Sequence, residues 1–359
     1  MKKAQKRLRK KLTWIIVMIF FMVFILVTNS CFTYTDAIKN DASIVEMGDV
    51  NIGGIEQWVL IRGEDRENPV IVFLHGGPGS PETAFLRKYN SELEKHFTMV
   101  YWDQRGAGKS YDKKIPQETM NLDQFLSDTH ELIVYVKKKL NKEKVHLMGH
   151  SWGSVLGLLT SAQHPELVDT YIGIGQVVNT ERGEKLSFDY TMREAKKDNN
   201  QKAIDQLNSV GPPVKGEYEN NGIWTQRKWL LHYGGERYGK TGVMDAIFDL
   251  WFSDEYNFFD VIKFTKSSGF AYRLRRDEKK IDFFKQVQYV EVPVYFISGK
   301  YDYNTPKELV KEYSEILQAP KVGYYEFEQS SHSPIFEEPE KFNELIIKLL
   351  THPNNNSKL

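Results

Sequence analysis

Ten residues, Val145-His146-Leu147-Met148-Gly149-His150-Ser151-Trp152-Gly153-Ser154, constrain this chain more than any others. Residues 144–148 have the length and apolar character of a strand buried on both faces. They lead straight into Gly-x-Ser-x-Gly, and a helical pattern follows. Glycines two positions either side of Ser151 leave room for the strained backbone of a sharp strand-to-helix turn. The helix N-terminus then favours negative charge developing beside the hydroxyl. Gly-x-Ser-x-Gly alone recurs by chance. At a strand–turn–helix junction it marks Ser151 as a nucleophile.

A serine hydroxyl is a weak nucleophile at neutral pH, so it needs a base, and the base needs an orienting acid. Of the nine histidines, His332 is best placed, in a loop after the last expected strand. His150 adjoins the nucleophile and cannot easily turn onto it. His75 belongs to a second glycine motif, and His96, His130, His146 and His164 fall on helix or strand positions. His232 lies in a long irregular stretch and His352 in the polar tail. For the acid, an expected strand over residues 292–298 ends in Gly299-Lys300-Tyr301-Asp302. Asp302 therefore stands at the C-terminal edge of a strand, where open α/β sheets gather their ligands. Its competing role is a cap for the next helix. Upstream, residues 70–74 run into His75-Gly76-Gly77-Pro78-Gly79. A strand followed by such a loop supplies one oxyanion donor and the residue after the nucleophile supplies another, which selects the backbone N–H groups of Gly77 and Trp152.

Strand and helix patterns alternate around these motifs, predicting an α/β fold with a mostly parallel central sheet and flanking helices. Residues 43–50 and 55–62 read as a hairpin. Strands are expected over 70–74, 97–102, 144–148, 168–173, 292–298 and 322–327, with helices over 123–140, 306–317 and 339–350. The rhythm breaks over 179–291, where charged and aromatic residues mix without a strand pattern, as in a mostly helical insertion. The expected organisation is a core over 43–178 and 292–350, interrupted by 179–291.

Three motifs in register carry a resemblance: His75–Gly79, then Asp103-Gln104-Arg105-Gly106-Ala107-Gly108-Lys109-Ser110, then Gly149-His150-Ser151-Trp152-Gly153. Together they resemble the proline iminopeptidases, serine aminopeptidases of the α/β-hydrolase fold. The resemblance covers about residues 50–178 and 290–345. It implies Ser151, Asp302 and His332 as the triad, Gly77 and Trp152 as the oxyanion hole, and a helical cap in the insertion that selects substrate. The family's cap holds the substrate's free amine with glutamates near a Trp-Glu pair. Here Trp224 and Trp229 have no adjoining glutamate, so Glu217, Glu219 and Glu236 are the candidates. Ser154 stands where the family has a second glycine.

The substrate implied is a small molecule or a short peptide. The alternatives are a carboxylesterase or acyl-transfer enzyme with the same triad, since fold does not fix substrate, and a non-catalytic binding module. One cysteine and scattered histidines offer no metal cluster, and no cofactor is expected. Gly106–Ser110 resembles the end of a phosphate loop, but Asp103 holds the place of its first glycine.

The formal net charge is zero, which gives no pull toward nucleic acid. Yet seven cations and no acids fall in residues 1–11. The next 24 residues are uncharged, about 36 Å of helix against a hydrocarbon core of about 30 Å. Residues 1–35 therefore read as a basic cytoplasmic stub and a single transmembrane anchor with the catalytic part outside the cell. A cleaved signal peptide and secretion are the alternative.

Overall fold

The computed structural model describes residues 10, 11, 13–18, 20, 21, 33–219, 222–239 and 249–351. Strands β1 (Ile44–Ile52) and β2 (Ile55–Gly63) form an antiparallel hairpin, closed by Gly53 and Gly54 at positive φ. β3 (Val70–Leu74), β4 (Thr98–Trp102), β5 (Val145–His150), β6 (Val168–Ile174), β7 (Val294–Gly299) and β8 (Val322–Phe327) complete an eight-stranded sheet. The order is β1-β2-β4-β3-β5-β6-β7-β8; β2 runs antiparallel to β4, and the strands from β4 onward are parallel.

Parallel strands need crossovers, and these become the flanking layers. Successive residues of β3 serve opposite layers. Val70, Val72 and Leu74 pack with Phe125 and Leu132 of α2 (Leu122–Leu140) and with Trp152 and Leu156 of α3 (Trp152–Gln163). Ile71 and Phe73 face the layer that holds Leu86 of α1 (Thr83–Tyr89) and Phe342 and Ile346 of the C-terminal helix Pro339–Thr351. Asn121 caps α2 through the Gln124 amide, and Asn141 at φ 51° ends it.

The turn after β4 is pinned by a buried ion pair. Arg105 Nε donates to Asp128 Oδ2 at 2.7 Å and Nη2 to Oδ1 at 3.0 Å, while Nη2 also reaches the Gly53 carbonyl at 2.8 Å. The Asp-Gln-Arg-Gly stretch thus ties the hairpin, β4 and α2 together.

Between β6 and β7 the described residues include the helices α4 (Thr180–Lys197), α5 (Gln201–Val210), α6 (Ile223–His232), α7 (Phe258–Phe270), α8 (Arg275–Glu278) and α9 (Phe283–Gln286), with turns and isolated bridges between them. Phe188, Ala195, Ala203, Leu207 and Trp229 form a small core of their own among α4, α5 and α6. α7 is bound to the sheet layer, since Lys109 Nζ pairs with Asp260 at 2.8 Å and Tyr256, just before α7, donates its hydroxyl to Asp103 at 2.6 Å. After β7 come α10 (Lys307–Ile316) and α11 (Pro334–Glu337), and the C-terminal helix is α12.

Among the described residues, no helix is long and apolar enough to cross a membrane. Most of the expected stub and anchor lies outside the described residues; of those described within it, 10, 11, 13–18, 20 and 21 are helical and 33–35 are not.

Candidate active site

Ser151 sits between β5 and α3 with φ 53° and ψ −118°, a left-handed conformation for a side chain that prefers others. Its surroundings require glycine. A Cβ on Gly149 would stand 2.4 Å from the Gly153 carbonyl oxygen, and one on Gly153 would stand 1.9 Å from that of Leu74. Ser154 strengthens the same turn. Its hydroxyl donates to the Ser151 carbonyl at 2.5 Å and accepts the Val177 N–H at 3.0 Å.

His332 and Asp302 come from loops at the C-terminal ends of β8 and β7. His332 Nε2 lies 2.9 Å from Ser151 Oγ, and His332 Nδ1 lies 3.0 Å from Asp302 Oδ2. Asp302 is fully buried and takes three more donors: the Asn304 and Thr305 amides at 2.9 Å, and the Thr305 hydroxyl at 2.8 Å. An acceptor-only carboxylate fixes the proton on Nδ1, which leaves the Nε2 lone pair facing the serine hydroxyl. His150 does not compete, because its Nε2 faces the His332 carbonyl oxygen.

The loop after β3 meets Ser151 directly, with a Cβ built on Gly76 lying 3.1 Å from Ser151 Cβ. Gly77 takes φ 115° and is followed by a cis peptide bond to Pro78. His75 props the loop from below. Burial pushes its imidazole down to about 4, so the ring is neutral, donating from Nδ1 to the Gly76 carbonyl at 2.8 Å and accepting the Gln104 N–H on Nε2 at 3.1 Å. The Gly77 and Trp152 amides are engaged by no acceptor among the described residues. Above Ser151 lies a cavity of about 380 Å³, roofed by the helices between β6 and β7.

Residues 69–339 match the family described as alpha/beta hydrolase fold. The Bacillus subtilis (strain 168) protein named "Probable aminopeptidase YbaC" is 34% identical over 318 residues, covering 88% of this chain and 99% of that protein. This chain belongs to the α/β hydrolases, among their proline iminopeptidase-like members. A proline iminopeptidase of Heyndrickxia coagulans is 27% identical over 286 residues, 77% of this chain and 88% of its own. The crystal structure of a Mycobacterium smegmatis proline iminopeptidase shares the fold at a TM-score of 0.63 and 17% identity, over 85% of this chain and 98% of that one.

In this α/β hydrolase the five residues expected in a substrate pocket separate. Glu236 and Trp224 line the cavity. Glu217 and Glu219 are exposed and lie outside it, with Glu217 paired to Lys279. Trp229 is spent on packing: it is buried against Phe188 and Leu207, and its indole N–H donates to Gln206 at 3.0 Å. Sequence reasoning missed a set of charges on the cavity wall: Glu184 of α4, Arg227 of α6, and Arg275 and Glu278 of α8. Arg227 pairs with one Glu184 oxygen, Oε1, while the other, Oε2, is buried with no partner. Burial raises Glu278 above the usual carboxylate range, against the pull of Arg275. No local pattern announces these residues. They come from three helices that only the packed insertion brings together.

Proposed function

We propose that this hydrolase is a serine aminopeptidase that removes N-terminal residues from short peptides through an acyl-enzyme on Ser151. The observation that carries the reading is the hydrogen-bonded series Ser151–His332–Asp302, with spacings of 2.9 and 3.0 Å, at the foot of a roofed cavity. His332 Nε2 takes the hydroxyl proton as Ser151 Oγ attacks the scissile carbonyl. The Gly77 and Trp152 amides receive the oxyanion, a contribution of about 3 kcal/mol per donor. His332 returns the proton to the leaving amine and then activates the water that frees Ser151.

The wall charges favour a substrate with a free amine. Glu184, Glu236 and Glu278 face Arg227 and Arg275, which leaves one carboxylate in excess, and Glu184 Oε2 is a buried acceptor without a donor. One ammonium satisfies both conditions. In the first test, a fluorophosphonate labels the folded protein and Ser151→Ala abolishes labelling. Aminoacyl arylamides are then hydrolysed, and their N-acetylated counterparts are not. Hydrolysis of p-nitrophenyl butyrate but no arylamide would overturn the peptidase reading in favour of an esterase.

The proposal extends to location: a single-pass anchor within residues 1–35, with the catalytic domain outside the cell. Seven cations before the uncharged run support it, as do Trp14, Phe20 and Phe21, which are 69%, 76% and 63% exposed. Retention of the protein in the membrane pellet after alkaline extraction checks this; a soluble mature form starting beyond residue 28 would overturn it.

A further inference from the structure

Two buried side chains beside the reacting groups take no part in the proton relay. Glu82 precedes α1, and its Oε2 accepts the Gly76 N–H at 3.0 Å. Its other oxygen, Oε1, lies 2.6 Å from His150 Nδ1, and His150 Nε2 lies 3.0 Å from the His332 carbonyl oxygen. A carboxylate and a carbonyl both accept only. With Glu82 ionised, both contacts are hydrogen bonds only if both ring nitrogens carry protons, that is, if His150 is an imidazolium.

The surroundings favour that state. Burial alone would drive the proton off His150, but the charge and hydrogen bond of Glu82 outweigh it and raise the group above its ordinary value. Burial would likewise raise Glu82, and His150 outweighs it in turn, holding the carboxyl low. The other titratable groups facing the ring are His75, which is neutral, Asp302, and His332, whose ring centroid is 5.0 Å away.

We propose that His150 and Glu82 are a positioning pair for the reaction, fastening the loop that carries the oxyanion donor to the loop that carries the base, across the nucleophile. The contacts run without a break from the Gly76 N–H through Glu82 and His150 to the His332 carbonyl. Gly77 follows Gly76 directly, and the His332 ring takes the serine proton, so one ion pair sets both against Ser151. The inference rests on the serine-hydrolase reading. With Glu82 held ionised, a neutral His150 cannot keep the series intact, because one ring nitrogen would then present a lone pair to an acceptor oxygen. Rising pH therefore releases one side.

Glu82→Gln separates charge from shape. The amide oxygen still accepts the Gly76 N–H, and the amide NH2 donates to an unprotonated Nδ1, which leaves Nε2–H for the His332 carbonyl. All three contacts survive with a neutral ring. The experiment is the second-order rate of fluorophosphonate labelling of the full chain from about pH 6 to about pH 10. The wild type is expected to lose roughly tenfold on the alkaline side, as one charge-assisted hydrogen bond is lost, and Glu82→Gln to stay level there. Parallel profiles, or a wild type without an alkaline decline, overturn the proposal.

A nitrogen-15 histidine titration of the wild type, assigned with His150→Gln, decides the matter independently of the variant's folding. His150 should hold both ring protons at about pH 7.5, and a neutral ring there overturns the pair. Absence of labelling at every pH would sink the serine-hydrolase reading and leave the pair to this titration.

Discussion

At the scale of single residues, the groups proposed to react are held by neighbours to which the proposal assigns no chemistry. Asp302 is the clearest case. Four donors converge on it, and its one task toward His332 is to keep the proton on Nδ1. Asp302→Asn preserves volume but can offer Nδ1 an amide N–H, which favours the tautomer with its lone pair turned away from Ser151. The expected result is a fall in kcat of about 10⁴ with an unchanged far-ultraviolet circular dichroism spectrum; a fall below tenfold would remove Asp302 from the relay. Ser151, Asp302 and His332 were legible because each sits at a strand end where the sequence pattern breaks. Thr305 and Glu82 were not. Their roles are hydrogen bonds to partners set by the fold, with no spacing to betray them.

At the scale of elements, the strands were the most legible part. The strand over 70–74 was read to the residue, because a short apolar run between turn signals leaves no competing reading. The one over 322–327 was read to the residue although five of its six residues are only half-buried. The strand carrying Ser151 extends two residues beyond its apolar run, through Gly149 and His150, because sheet pairing with β6 continues there. The Asp-Gln-Arg-Gly motif turns out to be a fastening between elements. Arg105 and Asp128 are at most 1% exposed, and Gln57 and Gln124 add hydrogen bonds to the same carboxylate at 2.8 Å each. Asp128→Ala would leave a guanidinium buried with its main partner gone, at a cost of about 3–5 kcal/mol. Urea unfolding should report this as a lower midpoint, whereas a loss under about 1 kcal/mol would show that water reaches the site.

At the scale of the whole molecule, the roof is joined to the sheet through a group sensitive to pH. Asp103 is fully buried, and burial raises its carboxyl to about 7 despite the hydrogen bonds from Tyr256 and the Lys109 amide. The folded state therefore binds this proton more tightly than the unfolded chain, whose Asp titrates near 3.9. Its contribution to stability is fully present below about pH 4 and is lost as pH rises to about 7, on the order of 4 kcal/mol at full weight. Asp103→Asn should remove that slope, so its stability relative to the wild type rises between about pH 4 and about pH 7. Thermal unfolding at several pH values checks this, and a constant difference between the two proteins would place the titration elsewhere. Tyr256 and Asp260 lie where aromatic and charged residues mix without a period, so nothing local marked them as the seam between roof and core.

The chain's own pattern determined the layer architecture, the strand-end positions of Ser151, Asp302 and His332, and the glycine loop beside them. These are consequences of short-range physics: period, turn chemistry and the length of apolar runs. Which charges face the cavity was decided only when α4, α6 and α8 packed over the sheet. Glu184, Arg227 and Glu278 are far apart along the chain, and each is an ordinary helix residue in its own neighbourhood. A carboxylate becomes a ligand-seeking group when folding removes its water and supplies too few donors, and that balance exists only in three dimensions.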